Sequence, residues 1–188
     1  MQIGTTKILQ GEGQSEDSYD RMSYYMNNLH TETILKSQGL EATRTLGEIL
    51  GRQVAPSTLI VLSGELGAGK TELAAAIGKG MGIECAMTSP TFSILKCYES
   101  GRIPLSHLDV YRLEDVTQLV DIGFWDLLSP GEPSAVLVEW GEKFSEIVGS
   151  ADLVVVITAK DSDARDIKLR SHSEKGDELL AAALPSVG

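Results

Sequence analysis

The chain has 188 residues and a formal net charge of −11. Hydrophobic residues make up 42% and charged residues 23%, enough apolar material for one soluble core and inconsistent with a disordered or fibrous chain. The acidic balance repels phosphate backbones, so direct nucleic-acid binding is not expected.

No apolar run is long enough to cross a bilayer, and the first residues lack the order of a secretory signal, so a cytoplasmic location without membrane contact is expected. Cys85 and Cys97 match no zinc or redox spacing and read as reduced, buried or half-buried thiols.

Residues 1–28 are polar and dotted with glycine, without lasting periodicity, and read as a flexible extension of one domain over 29–188. An extended stretch over 31–36 leads to Ser37, a candidate N-cap for a helix over 38–52. There Ala42, Leu46, Ile49 and Leu50 recur at helical spacing. Residues 58–63 (TLIVLS) form a nearly continuous apolar run, the mark of a strand buried on both faces. A glycine-rich loop follows it directly, then an alanine-rich helix over 70–81. Pro90 makes 88–92 a loop, and 93–99 with 103–110 reads as a hairpin around Ser100-Gly101. Residues 115–128 are mostly helical with a break near Gly123. Ala135–Glu139 is a second buried strand, and strands over 153–158 and 166–170 close the chain around a polar turn at 161–163. Alternating strands and helices predict an α/β fold with a mixed, largely parallel central sheet.

The loop Gly64-Glu65-Leu66-Gly67-Ala68-Gly69-Lys70-Thr71 has the pattern G-x-x-x-x-G-K-T. Its glycines allow successive N–H groups to turn inward as an anion nest, and the following helix adds its positive end. Lys70 would reach the β- and γ-phosphates of ATP, and the Thr71 hydroxyl would bind Mg²⁺. With the flanking strand and helix, this makes the domain a three-layer fold of the P-loop NTPase type.

Asp109 ends the hairpin's second strand, where such proteins place a second magnesium ligand; the alternative is an exposed acid capping a strand. Glu139 ends the run Ala135–Glu139, where a carboxylate either completes the magnesium shell or orients the attacking water, with the same alternative. Hydroxyls of the 88–92 loop, Thr88 and Thr91 among them, suit sensing of a γ-phosphate; the alternative is a plain proline turn. His107 reads as a structural hydrogen-bonder rather than a base, and Trp125 and Trp140 as core or interface packing residues, with stacking on a nucleotide base as the alternative.

GELGAGKT, TSPTF, HLDVYRLED and VEWGE, in this order and spacing, resemble the TsaE (YjeE) family over residues 31–170. These are small bacterial P-loop ATPases of tRNA threonylcarbamoyladenosine modification. The resemblance implies ATP and Mg²⁺ as cofactors, with Glu65, Leu66, Gly67, Ala68, Gly69, Lys70 and Thr71 around the phosphates. It implies Thr71, Asp109 and Glu139 at the metal and Lys70, Asp109 and Glu139 in catalysis. Residues 88–92 match the family's switch-like loop, Thr43 lies in a T-x-x-L-G segment near the nucleotide, and Arg165 occupies the usual arginine position. It also implies action on the TsaB–TsaD pair, with hydrolysis resetting that complex between turnovers. Two departures stand out: Gly141 replaces the proline common after E-W, and the N-terminal extension has no counterpart. Rival functions are a nucleotide-dependent binding module and a small-molecule kinase, although no arginine-rich lid segment is evident. A guanine-reading N-K-x-D motif is absent.

Overall fold

The computed structural model describes residues 2–3, 7–10, 29–160 and 164–184. The apolar run after Thr58 forms β4 (Leu59–Ser63), and the second forms β7 (Ala135–Glu139); every residue of both is buried. β4 lies between β7 and β8 (Leu153–Ala159), parallel to each, and β7 also pairs in parallel with β6 (Leu105–Asp109). Four parallel strands thus form the centre, and the flanks are antiparallel. β5 (Leu95–Tyr98) pairs with β6 on one side. On the other, β9 (Ala164–Ser171) pairs with β8 and β3 (Leu29–Gln38) pairs with β9. The sheet is therefore mixed.

The segment expected to be a flexible extension contains two strands, β1 (Gln2–Ile3) and β2 (Lys7–Gln10), both antiparallel to β3. Backbone pairing at a sheet edge needs no side-chain periodicity, which is why the sequence pattern is silent there. The rest of that segment, and the turn expected at 161–163, lie outside the described residues.

Helices cover both faces. α1 (Leu40–Gln53), α2 (Lys70–Gly80) and α5 (Glu174–Ala183) share a core with Ile60, Leu62, Leu137 and Val155. The short α3 (Thr117–Asp121) and α4 (Ser145–Ser150) cover Val61, Val136 and Val138 on the other face. α1 meets α2 nearly backbone to backbone: a Cβ on Gly51 would lie 2.0 Å from the Ile77 carbonyl oxygen, so only glycine fits.

Three expectations change. The N-cap of α1 is Gly39, at φ 92°, not Ser37, whose hydroxyl instead donates to the Gly39 carbonyl and pairs with Thr43. Both cysteines are free and exposed rather than buried, Cys97 because it lies on the outer-edge strand β5. α5 was not expected; the Ser173 hydroxyl caps it by accepting from the Gly176 N–H, and Leu179, Leu180 and Ala183 pack inward. Among the described residues, no helix is long and apolar enough to cross a membrane.

Candidate functional site

The loop between β4 and α2 bends through three glycines in the left-handed region: Gly64 at φ 140°, Gly67 at 79° and Gly69 at 111°. An L side chain is strained there, and a Cβ on Gly64 would also strike the Ile157 carbonyl at 2.4 Å. The Ala68 N–H closes the turn on the Glu65 carbonyl, and the Arg165 Nε donates to the Ala68 carbonyl at 3.2 Å. β9 delivers Arg165 to this point, because its register with β3 sets Arg165 opposite Ser37.

Lys70, the first residue of α2, is 5% exposed. Its ammonium donates to the Gly64 carbonyl at 2.6 Å and the Glu65 carbonyl at 2.9 Å, and lies 3.4 Å from the centre of the Trp140 ring. Burial pulls its pKa below the usual lysine range, and the nearby charges of Glu142, Glu139 and Asp109 oppose that shift only in part. Trp140 was expected to be a packing residue. It does pack against the core and Tyr111, and it also lines the cleft, because its backbone adopts φ 65° immediately after β7 and brings the indole over Lys70. Trp125 is 37% exposed and meets Phe124 edge-on.

The carboxyl ends of β6 and β7 supply the two acids. Parallel pairing sets Asp109 beside Glu139, and both are buried, at 3% and 2% exposure. Glu139 Oε2 accepts from the Thr71 hydroxyl at 2.9 Å, and its Oε1 lies 3.0 Å from His107 Nε2. Asp109 Oδ2 accepts from Ser89 at 2.8 Å and Thr91 at 2.6 Å, while Oδ1 accepts from the Tyr111 N–H. Ser89 and Thr91 are also 2.6 Å apart, so two hydroxyl hydrogens serve a triangle of three oxygen–oxygen contacts.

These groups enclose a cleft of about 260 Å³. Of the residues singled out in the sequence, Leu66, Gly67, Gly69, Lys70, Thr71, Thr91, Asp109 and Glu139 line it, whereas Glu65 and the buried Ala68 do not. Ser89, Glu72 and Trp140 are additional lining residues. Thr43 is buried against Ser37, and Thr88 accepts from Lys96 Nζ at 2.6 Å; neither lines the cleft. Among the described residues, no group of three or more His, Cys, Asp or Glu is arranged to hold a metal ion. Two carboxylates and a hydroxyl beside a phosphate nest fit Mg²⁺, which uses few protein ligands and fills its octahedron with water and phosphate oxygens.

Known proteins resemble this chain in sequence and fold. The family described as "Threonylcarbamoyl adenosine biosynthesis protein TsaE" matches residues 37–167. A protein of Nostoc sp. named tRNA threonylcarbamoyladenosine biosynthesis protein TsaE is 36% identical over 143 residues, which is 75% of this chain and 87% of that protein. The Bacillus subtilis protein of the same name is 36% identical over 139 residues, covering 74% and 85%. The crystal structure of Bacillus subtilis YdiB superposes with a TM-score of 0.64 at 25% identity, covering 82% of this chain and 95% of that one. The fold, the matched span and the relatives together make this chain a member of the TsaE family of tRNA threonylcarbamoyladenosine biosynthesis.

Proposed function

We propose that the chain is a Mg²⁺-dependent ATPase that serves tRNA threonylcarbamoyladenosine biosynthesis by acting on a TsaB–TsaD pair. The observation that carries the reading is the convergence of Lys70, Thr71, Asp109 and Glu139 on one cleft beside a glycine-shaped phosphate loop. The inward-turned loop and the start of α2 would receive the phosphate chain. Lys70 would exchange its carbonyl partners for β- and γ-phosphate oxygens. Thr71, Asp109 and Glu139 would hold Mg²⁺, which supplies positive charge to the β- and γ-oxygens. Glu139 would also orient the attacking water. Hydrolysis forms a bond from the water oxygen to the γ-phosphorus and breaks that atom's bond to the bridging oxygen, giving ADP and inorganic phosphate.

The net charge of −11 supports a division of labour in which the partners, not this chain, hold the tRNA. ATP turnover by the purified chain, alone and with TsaB–TsaD, tests the proposal. The expected result is slow hydrolysis alone and clear stimulation by the pair. Glu139→Gln should keep ATP binding and lose repeated modification cycles. Full support of those cycles by the variant would favour a nucleotide-dependent binding module.

A further inference from the structure

His107 is fully buried in β6, two residues before Asp109, and the ATPase reading gives it no task. Parallel register pairs His107 with Leu137 and Asp109 with Glu139, so His107 and Glu139 share one face of the sheet and meet diagonally. The contact is Nε2 to Oε1 at 3.0 Å, between side chains that are 0% and 2% exposed. A carboxylate oxygen only accepts, so the hydrogen of this bond sits on Nε2. Nδ1 is buried with no hydrogen-bond partner among the described residues, and a bare acceptor nitrogen is the tautomer that leaves no N–H stranded there.

Each Glu139 oxygen therefore has one donor, His107 on Oε1 and the Thr71 hydroxyl on Oε2. The two donors differ in what they can do. Thr71 sits in the phosphate loop and lines the cleft, so its hydroxyl has other work once a nucleotide arrives. His107 is fully buried, does not line the cleft and has no alternative partner among the described residues. We propose that His107 is a positioning residue for Glu139: its Nε2–H fixes Oε1 and thereby presents Oε2 to the cleft. The inference rests on the Mg-ATP reading above and adds a residue that touches neither nucleotide nor metal.

Two variants of nearly equal length separate this role from packing. His107→Gln keeps an N–H donor at about the reach of Nε2, whereas His107→Met keeps the volume and apolar fit without a donor. ATP affinity is titrated by calorimetry with and without Mg²⁺, and turnover is measured alongside. With the donor removed, His107→Met should need roughly tenfold more Mg²⁺ and turn over at least about tenfold more slowly, the usual scale for losing a group that orients a metal ligand. Its ATP affinity without Mg²⁺ should stay at the wild-type value, and His107→Gln should follow wild type in every measurement.

In a Glu139→Ala background the Gln and Met variants should no longer differ in Mg²⁺ dependence. Equal behaviour of Gln and Met in the otherwise unaltered chain, or the same difference in both backgrounds, would overturn the proposal. If His107→Met fails to fold, a folded His107→Gln with lost Mg²⁺ dependence overturns it, and one with wild-type dependence supports it. Nitrogen-15 NMR of the nucleotide-free protein gives a test independent of ATP: the hydrogen is expected on Nε2, and a hydrogen on Nδ1 sinks the idea. A chain that binds Mg-ATP without hydrolysing it would defeat the ATPase reading while leaving the Mg²⁺ comparison intact.

Discussion

The phosphate loop and the loop across from it, residues 88–93, face the same cleft but are held by different forces. The first is a backbone object. Its three left-handed glycines fix its path, β4 and α2 anchor both ends in the larger core, and Arg165 pins it through the Ala68 carbonyl. The second has one backbone turn, from the Ile94 N–H to the Pro90 carbonyl, and otherwise hangs on side chains: Ser89 and Thr91 reach Asp109, and Lys96 holds Thr88. Its Phe92 is 87% exposed, with the Arg112 guanidinium 4.5 Å from the ring centre. It ends at Ile94, a β-branched residue at φ 65°, a conformation that costs energy and that surrounding contacts must hold in place. A loop fixed by its own backbone keeps its shape whatever occupies the cleft. A loop tied to Asp109 loses those bonds when another ligand takes the carboxylate, so a Mg²⁺ ion held by Asp109, as proposed above, would compete with the loop for one group.

The largest effect should come from breaking the fixed side. Lys70→Ala removes the cation that would meet the phosphates, and at roughly 1.5–3 kcal/mol for each charged hydrogen bond the loss of two should weaken ATP binding by about a hundredfold or more. Isothermal titration with Mg-ATP reads this directly. Thermal stability should fall by about 1–2 kcal/mol, since the buried Lys70 ammonium also donates to the Gly64 and Glu65 carbonyls of its own loop. Unchanged affinity would remove the phosphate loop from the site.

Asp109→Ala should act on both sides at once. ATP binding should lose most of its Mg²⁺ dependence, and the amides of Ser89 and of 91–94 should exchange faster because Ser89 and Thr91 lose their shared acceptor. Stability should drop by about 1–2 kcal/mol, the cost of partly buried hydroxyls left without that partner. Faster exchange with intact Mg²⁺ dependence would leave Asp109 as a loop anchor only.

The same contrast explains what could be read from sequence. β4 and β7 were legible because strands buried on both faces must be apolar throughout, and the phosphate loop because its glycines are required by geometry. Asp109, Glu139 and Thr91 were legible as strand-end and loop residues beside it. For Trp140 the packing was legible but the contact with Lys70 was not, because only its left-handed backbone turns the indole toward the lysine. The His107–Glu139 contact was hidden as well, since it depends on the register of two strands whose residues are 32 positions apart. Ser37 preceded a true helix and still did not cap it: Gly39 had the required backbone freedom, and the serine hydroxyl turned to Thr43.

The smallest expected effect sharpens the comparison most. Ser89→Ala removes one corner of the hydroxyl triangle and leaves Thr91 bound to Asp109 at 2.6 Å. With the acceptor still served, the global cost should be about 0.5–1 kcal/mol, that of one ordinary hydrogen bond. Hydrogen exchange should accelerate at Thr91, whose N–H also points to the Ser89 oxygen at 3.2 Å, and not at Gly67 or Gly69. If Mg²⁺ and the loop compete for Asp109, removing one of the loop's claims should also tighten Mg²⁺-dependent nucleotide binding slightly, by about twofold for a few tenths of a kcal/mol. Weaker binding would mean that Ser89 helps hold the ligand rather than guard its site, and the two walls of the cleft would then differ in construction but not in role.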